Sequence, residues 1–366
     1  MFDSFGSRIN KVIDVTKRND LCVALFLGLV VIIVGTWLGW YNNTIIPLYP
    51  NPHFHYLSSN PLKLLSNWDG PDYINIAKHG YQNILNASFF PFYPLLIRGF
   101  YYVVRSYLMS ALFISWASLV GAIYFFIKLV KQLGLATSQS GSATAVLFWL
   151  LFPTGVFLIA TYTSSLYALL ALSSIYFALN RRYWLSGGLL FLATLTHITG
   201  VFVVVLDLLI LFEQKLPLKK IAATAIIGFA GIGTFAMYSW LHLHDIFAFV
   251  KSQHQIHGWL HFDYTSLFTT TDYLNALFVL MLLASAVYFW SRRKSFAIYA
   301  LLFLLIPLVG GIWGGFNRYV LTAFPIPLMI YGLVKEKRFL MTLILVLSVM
   351  LYTYTLLQYA GGYIGS

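Results

Sequence analysis

Cysteine is nearly absent: Cys22 is the single one in the chain. It opens an apolar run, so the sequence carries neither a disulfide framework nor a thiolate metal site. Charge is scarce too. Only 9% of the residues are Asp, Glu, Lys or Arg, and 11 acids face 23 bases. A soluble domain of 366 residues needs far more charge to cover its surface. Alternating β-barrel patterning is missing. So are internal repeats, low-complexity tracts and any stretch polar enough for a separate soluble domain. The Gly/Ser-rich TSQSGSA at Thr137–Ala143 is a short loop.

What remains is apolar. Hydrophobic residues make up 60% of the chain, with a mean hydropathy of +0.78. Apolar runs of about 20 residues recur, the length that spans a bilayer's hydrocarbon core. The chain reads as an all-α polytopic membrane protein with about 10–11 transmembrane or re-entrant helices. It is expected to form a single domain over residues 1–366, with residues 1–20 as a cytoplasmic tail and residues 42–88 as a long external loop.

Charge sets the expected topology. Arg8, Lys11, Lys17 and Arg18 precede a first span at Leu21–Tyr41, which places the N-terminus in the cytoplasm. That span reads as an anchor rather than a removed signal peptide. Basic clusters follow at Lys128/Lys131, Arg181/Arg182, Lys215/Lys219/Lys220, Arg292/Arg293/Lys294 and Lys335/Lys337/Arg338. Placing them all inside requires an even number of crossings between each pair. Thr144–Thr161, Ala222–Leu241 and Ala297–Gly314 then run outward. Ser165–Asn180, Tyr273–Trp290 and Tyr319–Val334 run back, and Phe339–Leu357 is a last outward span. Phe89–Val104 is expected as a juxtamembrane or re-entrant helix, with Leu108–Lys131 the true inward span. Trp184–Phe212 must leave and return within 29 residues, too few for two full spans. Its bend is expected at THITG, Thr196–Gly200, lining a cavity.

This map puts 17 of the 23 bases on the cytoplasmic side. The basic excess is therefore a topology signal, and no nucleic-acid partner is implied. All nine histidines fall on the outer half, as do Asp69, Asp72, Asp245, Asp263 and Asp272. The chemistry faces outward.

The densest polar stretch is SNWDGPDYINIAKHGYQ, residues 66–82. Tyr73, Ile76, Ala77 and Tyr81 recur at helical spacing, so an amphipathic helix is expected, begun near Pro71 and stopped by Gly80. Asp69 just before it is either a helix cap or a functional carboxylate. Trp68 and Tyr81 could equally be ordinary interfacial aromatics. FFPFYPLLIR follows at Phe89–Arg98, then LFPTGVFLIATYTSSLYALL, LATLTHITG, DIFAFVKSQHQIHGW and NRYVLTAFP.

In this order the segments resemble the PIG-V-like mannosyltransferases, membrane glycosyltransferases of the GT-C class. The resemblance runs over nearly the whole chain after the first span, and its most specific part is the W-D-G and F-F-P-x-Y-P pair. It implies sugar transfer from a polyprenyl-phosphate sugar to a lipid-linked or other glycan acceptor on the non-cytoplasmic face. It also implies that Asp69 is catalytic. Two positions depart from the family pattern. Ser164 stands where a glutamate is common, and His197 where an arginine is common.

Such a reaction needs a base for the acceptor hydroxyl and cations for the departing phosphate. Asp69 is the expected base, with Asp72 in reserve; one carboxylate suffices for inverting displacement. Arg318 is the first choice for phosphate, then Arg98, whose other reading is a snorkelling side chain, then Lys251. Trp68, Tyr73, His197 and His257 complete the candidate substrate-binding set. His254, His257 and His261 could share a helix face and hold a divalent cation, but a polar face is the default and no metal ligands are assigned. Asp207, alone in an apolar run, lies too far inward to join this site. A lipid or solute transporter, or a non-catalytic accessory subunit, are the rival classes.

Overall fold

The computed structural model describes residues 2–45, 61–257, 273–310 and 315–361. The described residues are helical, with no strand among them. Among the described residues, four helices are long and apolar enough to cross a membrane: Asn19–Tyr41 within α1 (Phe2–Ile45), α4 (Tyr107–Gln132), α9 (Leu218–Leu243) and α16 (Arg338–Ala360). Shorter apolar helices pack among them. They include α3 (Phe92–Val104), α6 (Ser164–Leu179), α7 (Tyr183–Thr196), α8 (Gly200–Glu213) and α11 (Tyr273–Trp290). This is a polytopic all-α membrane protein.

Local sequence sets several helix starts. Ser106 caps α4, its hydroxyl accepting from the Met109 amide at 3.3 Å. Ser138 caps α5 (Gln139–Leu150) through the Gly141 amide at 3.0 Å. Each such cap contributes about 1 kcal/mol. Packing supplies most of the rest. One apolar cluster joins α1, α4, α5, α6, α8 and α11, with Trp149 stacked on Phe126 at 5.4 Å in its centre.

Three of the expected spans are interrupted. Thr144–Thr161 is helical only to Leu150, and one short 3-10 turn, Gly155–Leu158, follows. Pro153 cannot continue an α-helix and also disfavours helix at the residue before it. Ala297–Gly314 divides into α12 (Lys294–Leu302) and α13 (Leu305–Gly310). Tyr319–Val334 divides into α14 (Phe316–Val320) and α15 (Pro325–Val334), with Pro325 opening the second piece. Broken helices leave backbone groups that lipid cannot satisfy. Here side chains do so: Trp149 donates to the Leu321 carbonyl at 3.0 Å, Tyr299 to Thr322 at 3.0 Å and Thr154 to Asn317 at 3.0 Å.

The two ends of the bundle differ. One gathers the basic clusters. Asp20 on α1 pairs with Lys128 at 2.9 Å and with Lys131 on α4. Nearby, Lys335 donates to the Leu135 carbonyl at 3.0 Å. Glu213 accepts from the Ser295 amide at 2.9 Å. The other end carries the loop segment before α2 (Asp69–His79), the α7–α8 turn and α10 (Ala248–His257). The expected bend at Thr196–Gly200 is present, since α7 stops at Thr196 and α8 starts at Gly200.

Candidate functional site

The site is built from the loop upward. A 3-10 turn, Pro61–Ser66, leads to Asn67 and Trp68. The bundle grips this segment at several points. The Thr161 amide donates to the Leu65 carbonyl at 2.8 Å, and the Thr161 hydroxyl to Ser66 Oγ at 3.1 Å. Asn67, 1% exposed, donates through Nδ2 to the Tyr359 carbonyl at 2.9 Å. The Tyr162 hydroxyl accepts from the Asp69 amide at 3.2 Å. Helix α16, nearly three hundred residues downstream, thus helps fix the start of α2.

The glycine of the W-D-G motif has a packing reason. A Cβ on Gly70 would collide with Thr161 Oγ1 and lie 2.8 Å from Ser66 Oγ. Only a residue without a side chain allows α2 to seat this deeply. Trp68 holds a left-handed φ of 58°, a conformation costly for a residue with a Cβ. Asp69 is the first residue of α2 rather than its cap. The cap position falls on Trp68, whose side chain makes no capping bond. The carboxylate of Asp69 is directed elsewhere.

It meets Arg318. The two side chains form an ion pair through Asp69 Oδ2 and Arg318 Nη1. Both are largely shielded, at 15% and 10% exposure. Arg318 lies on α14, which begins after Gly315, at a φ of 79° that glycine adopts without steric cost. Its guanidinium stands 5.3 Å from the Tyr162 ring and 5.4 Å from the Tyr319 ring. Its buried Nε has no acceptor among the described residues.

A cavity of about 260 Å³ opens over this pair. Asp69, Asp72, Tyr73, His197, Arg318 and Tyr319 are among its lining residues. α2 supplies the two carboxylates on successive turns of one face. The α7–α8 turn supplies Thr196, His197 and Ile198, and α10 supplies Phe249 and Gln253.

Each polar group has a defined setting. Asp72 stands exposed at the cavity, and no cation pairs with it among the described residues. Partial desolvation at the cavity wall, then the charge of Asp69, push its carboxyl up from 3.8 to about 6. Tyr73 is buried, its hydroxyl 3.5 Å from Thr163 Oγ1 and its ring edge-on to Phe89 and Tyr93. His197 accepts at Nδ1 from the Thr199 amide at 3.3 Å. The neutral ring therefore carries its proton on Nε2. Rings of Tyr167 and Tyr319 hold it, at 5.1 and 5.0 Å.

Other expected residues lie elsewhere. Arg98 is exposed on α3 and lines a separate apolar cavity bordered by Ile76, Ala77 and Phe235. Lys251 turns away from the site and pairs with Asp245. Trp68 packs against the bundle core and is not among the cavity's lining residues. His257 ends the described part of α10, and its side chain lies outside the described residues, as does all of His261. His254 is exposed. Among the described residues, no three His, Cys, Asp or Glu side chains are placed to hold a metal ion. Ser164 is buried at the start of α6, beside Thr163, and does not line the cavity. Sequence reasoning passed over Phe249 and Gln253. The only available signal was their i, i+4 spacing around the more conspicuous Lys251.

Residues 50–250 match the family model described as Mannosyltransferase (PIG-V). A curated relative is the human GPI alpha-1,6-mannosyltransferase 2, 35% identical over 139 residues. That alignment covers 36% of this chain and 28% of the human protein. The matched residues span α2, the α7–α8 turn and the start of α10, while Gln253 and α14 with Arg318 lie beyond them; the match covers more than half of the chain, and the chain belongs to the Mannosyltransferase (PIG-V) family.

Proposed function

We propose that the protein is a mannosyltransferase that moves the sugar from a polyprenyl-phosphate donor to a hydroxyl of a lipid-linked glycan acceptor. The carrying observation is the Asp69–Arg318 pair at a cavity that also holds Asp72 and His197. A carboxylate and a guanidinium side by side match the two needs of the reaction, a proton acceptor and a phosphate clamp.

In this reading the donor phosphate competes with Asp69 for the guanidinium. Arg318 turns its fork, including the unsatisfied Nε–H, toward phosphate oxygens. Asp69 is released to face the acceptor hydroxyl. The hydroxyl proton passes to the Asp69 carboxylate as the acceptor oxygen bonds to the anomeric carbon. The bond from that carbon to the phosphate oxygen breaks, and its electron pair leaves with the phosphate. One displacement inverts the anomeric centre. His197 offers Nε2–H to sugar or phosphate. The relative's name supports the mannosyl assignment and suggests a glycosylphosphatidylinositol-type acceptor. The positive-inside charge pattern supports a non-cytoplasmic site.

The test is a transfer assay with purified protein in nanodiscs. Radiolabelled polyprenyl-phosphate mannose is offered beside the glucose and arabinose analogues, with extracted glycolipids as acceptors. Label is expected in the acceptor lipid from the mannose donor. Absence of label from all three donors sinks the reading.

A further inference from the structure

α10 borders the same cavity as the charged pair and contributes two lining side chains, Phe249 and Gln253. They are four residues apart, so they share one face of the helix. Gln253 is only 4% exposed, and its Oε1 has no hydrogen-bond partner among the described residues. Buried amide oxygens are almost always paired, and an orphan calls for an explanation. Nothing about packing demands an amide here. A methionine would fill the same length without stranding a polar atom.

The neighbouring residues hold Gln253 in place. Ser252 is fully buried, donates to the Leu85 carbonyl at 2.9 Å and meets the Ser88 hydroxyl. Leu85 and Ser88 belong to the 3-10 turn Ile84–Ser88, against which α10 packs. Phe249 is set edge-on to Phe90 at 5.1 Å. The result is an aromatic ring and a buried amide on a fixed support, lining the cavity that also holds the acid–guanidinium pair; Oε1 itself is closed to solvent, so meeting a ligand requires the amide to rotate toward the cavity. A sugar presents apolar C–H faces to a ring and hydroxyls to an amide, and a hydroxyl can both donate and accept. An amide that bonds a substrate hydroxyl discriminates strongly, because the wrong substrate leaves it unpaired.

We propose that Gln253, with Phe249 beside it, reads the hydroxyl pattern of the transferred hexose. This rests on the glycosyltransferase reading above. Arg318 takes the phosphate end of the donor and α10 takes the sugar.

The experiment compares wild type, Gln253→Met and Gln253→Asn with polyprenyl-phosphate mannose and its 2-epimer, the glucose donor. Gln253→Met is expected to lower kcat/KM for the preferred sugar about 10–100-fold and to narrow the preference between the epimers. Its melting temperature in detergent should stay the same or rise, since a buried orphan is removed. If Gln253→Met does not fold, Gln253→Asn carries the test. Its amide is withdrawn by one methylene, and the same loss of rate and preference is expected. An active wild type with folded variants that keep its rate and epimer preference overturns the inference alone. A wild type that transfers neither sugar overturns the reading beneath it as well.

Discussion

Asp69 and Arg318 are 249 positions apart in sequence and touch at the cavity floor. One is the first residue of α2, the other lies on the short helix α14 late in the chain. The pair holds each charge ready in a poorly solvated place. Neither charge would be stable there alone.

Asp69→Asn tests the carboxylate. It keeps the shape of the side chain and removes the base, so turnover should fall about 10²–10⁴-fold. It also leaves a shielded guanidinium without its counter-ion, and stability should drop by about 1–3 kcal/mol. Initial rates and thermal unfolding in the same detergent separate the two effects. Wild-type turnover by the variant would move the base to Asp72.

Asp72 should give a pH signature. Its carboxyl titrates near 6 in the folded protein against 3.8 for the ordinary group. The folded state therefore holds this proton more tightly than the unfolded chain. The resulting stabilisation is complete below the ordinary value and is lost as pH rises through about 6. The same ionisation brings a second negative charge to a cavity assigned to phosphate. Donor KM should rise several-fold between pH 5 and pH 7 in wild type and stay flat in Asp72→Asn. A KM that climbs equally in both proteins would assign the effect to another group.

Gly70 is expected to be intolerant. Gly70→Ala places a methyl against Thr161 and Ser66, which hydrogen-bond to each other and cannot easily part. α2 must lift, carrying Asp69 away from Arg318. Overpacking of this kind costs about 1–3 kcal/mol. A lowered melting temperature with a larger fractional loss of turnover is the expected pairing. An unchanged rate would mean that Asp69 tolerates displacement.

The sequence made some of this legible and hid the rest for definable reasons. Helix α2, its stop at Gly80 and the turn at Thr196–Gly200 could be read because punctuation residues and charge bookkeeping act locally. Asp69 and Arg318 could each be singled out, one by its motif and one by its glycine-rich neighbourhood. Their contact could not be read, because no local pattern encodes a partner 249 residues away. The span expected at Thr144–Thr161 is broken after Leu150, ahead of Pro153, whose carbonyl accepts from the distant Thr355 on α16. Arg98 and Lys251 drew attention as outer cations, but helix phase turns both away from the cavity. The same phase brings in Phe249 and Gln253.

The proposed orientation, with the cavity outside the cytoplasm, rests on the charge of the two unlike ends of the bundle. Cys22 is the sole thiol, so a Cys22→Ser background is clean for labelling. Lys78 and Gln255 are exposed at the site end. Cysteines there should react with an impermeant maleimide on intact cells or sealed vesicles of outward orientation. A cysteine at Lys219 should react only after permeabilisation. The reverse pattern would put the cavity in the cytoplasm.

Arg318 carries the last prediction. The leaving phosphate gains charge as the glycosidic bond breaks, so a cation aimed at it matters more in the transition state than in the ground state. Arg318→Ala removes the charge and also frees Asp69 from its partner. Turnover should fall further than donor affinity does. Arg318→Lys keeps the charge but loses the fork and its reach to Asp69, so an intermediate rate is expected. Arg98→Ala is the control, since Arg98 is exposed and lines a different cavity. It should transfer sugar at close to the wild-type rate. Rates and donor KM for all three in nanodiscs decide the matter. If Arg318→Ala is active and Arg98→Ala is not, the phosphate lies on the other face of α2, and the Asp69–Arg318 pair is a structural clamp.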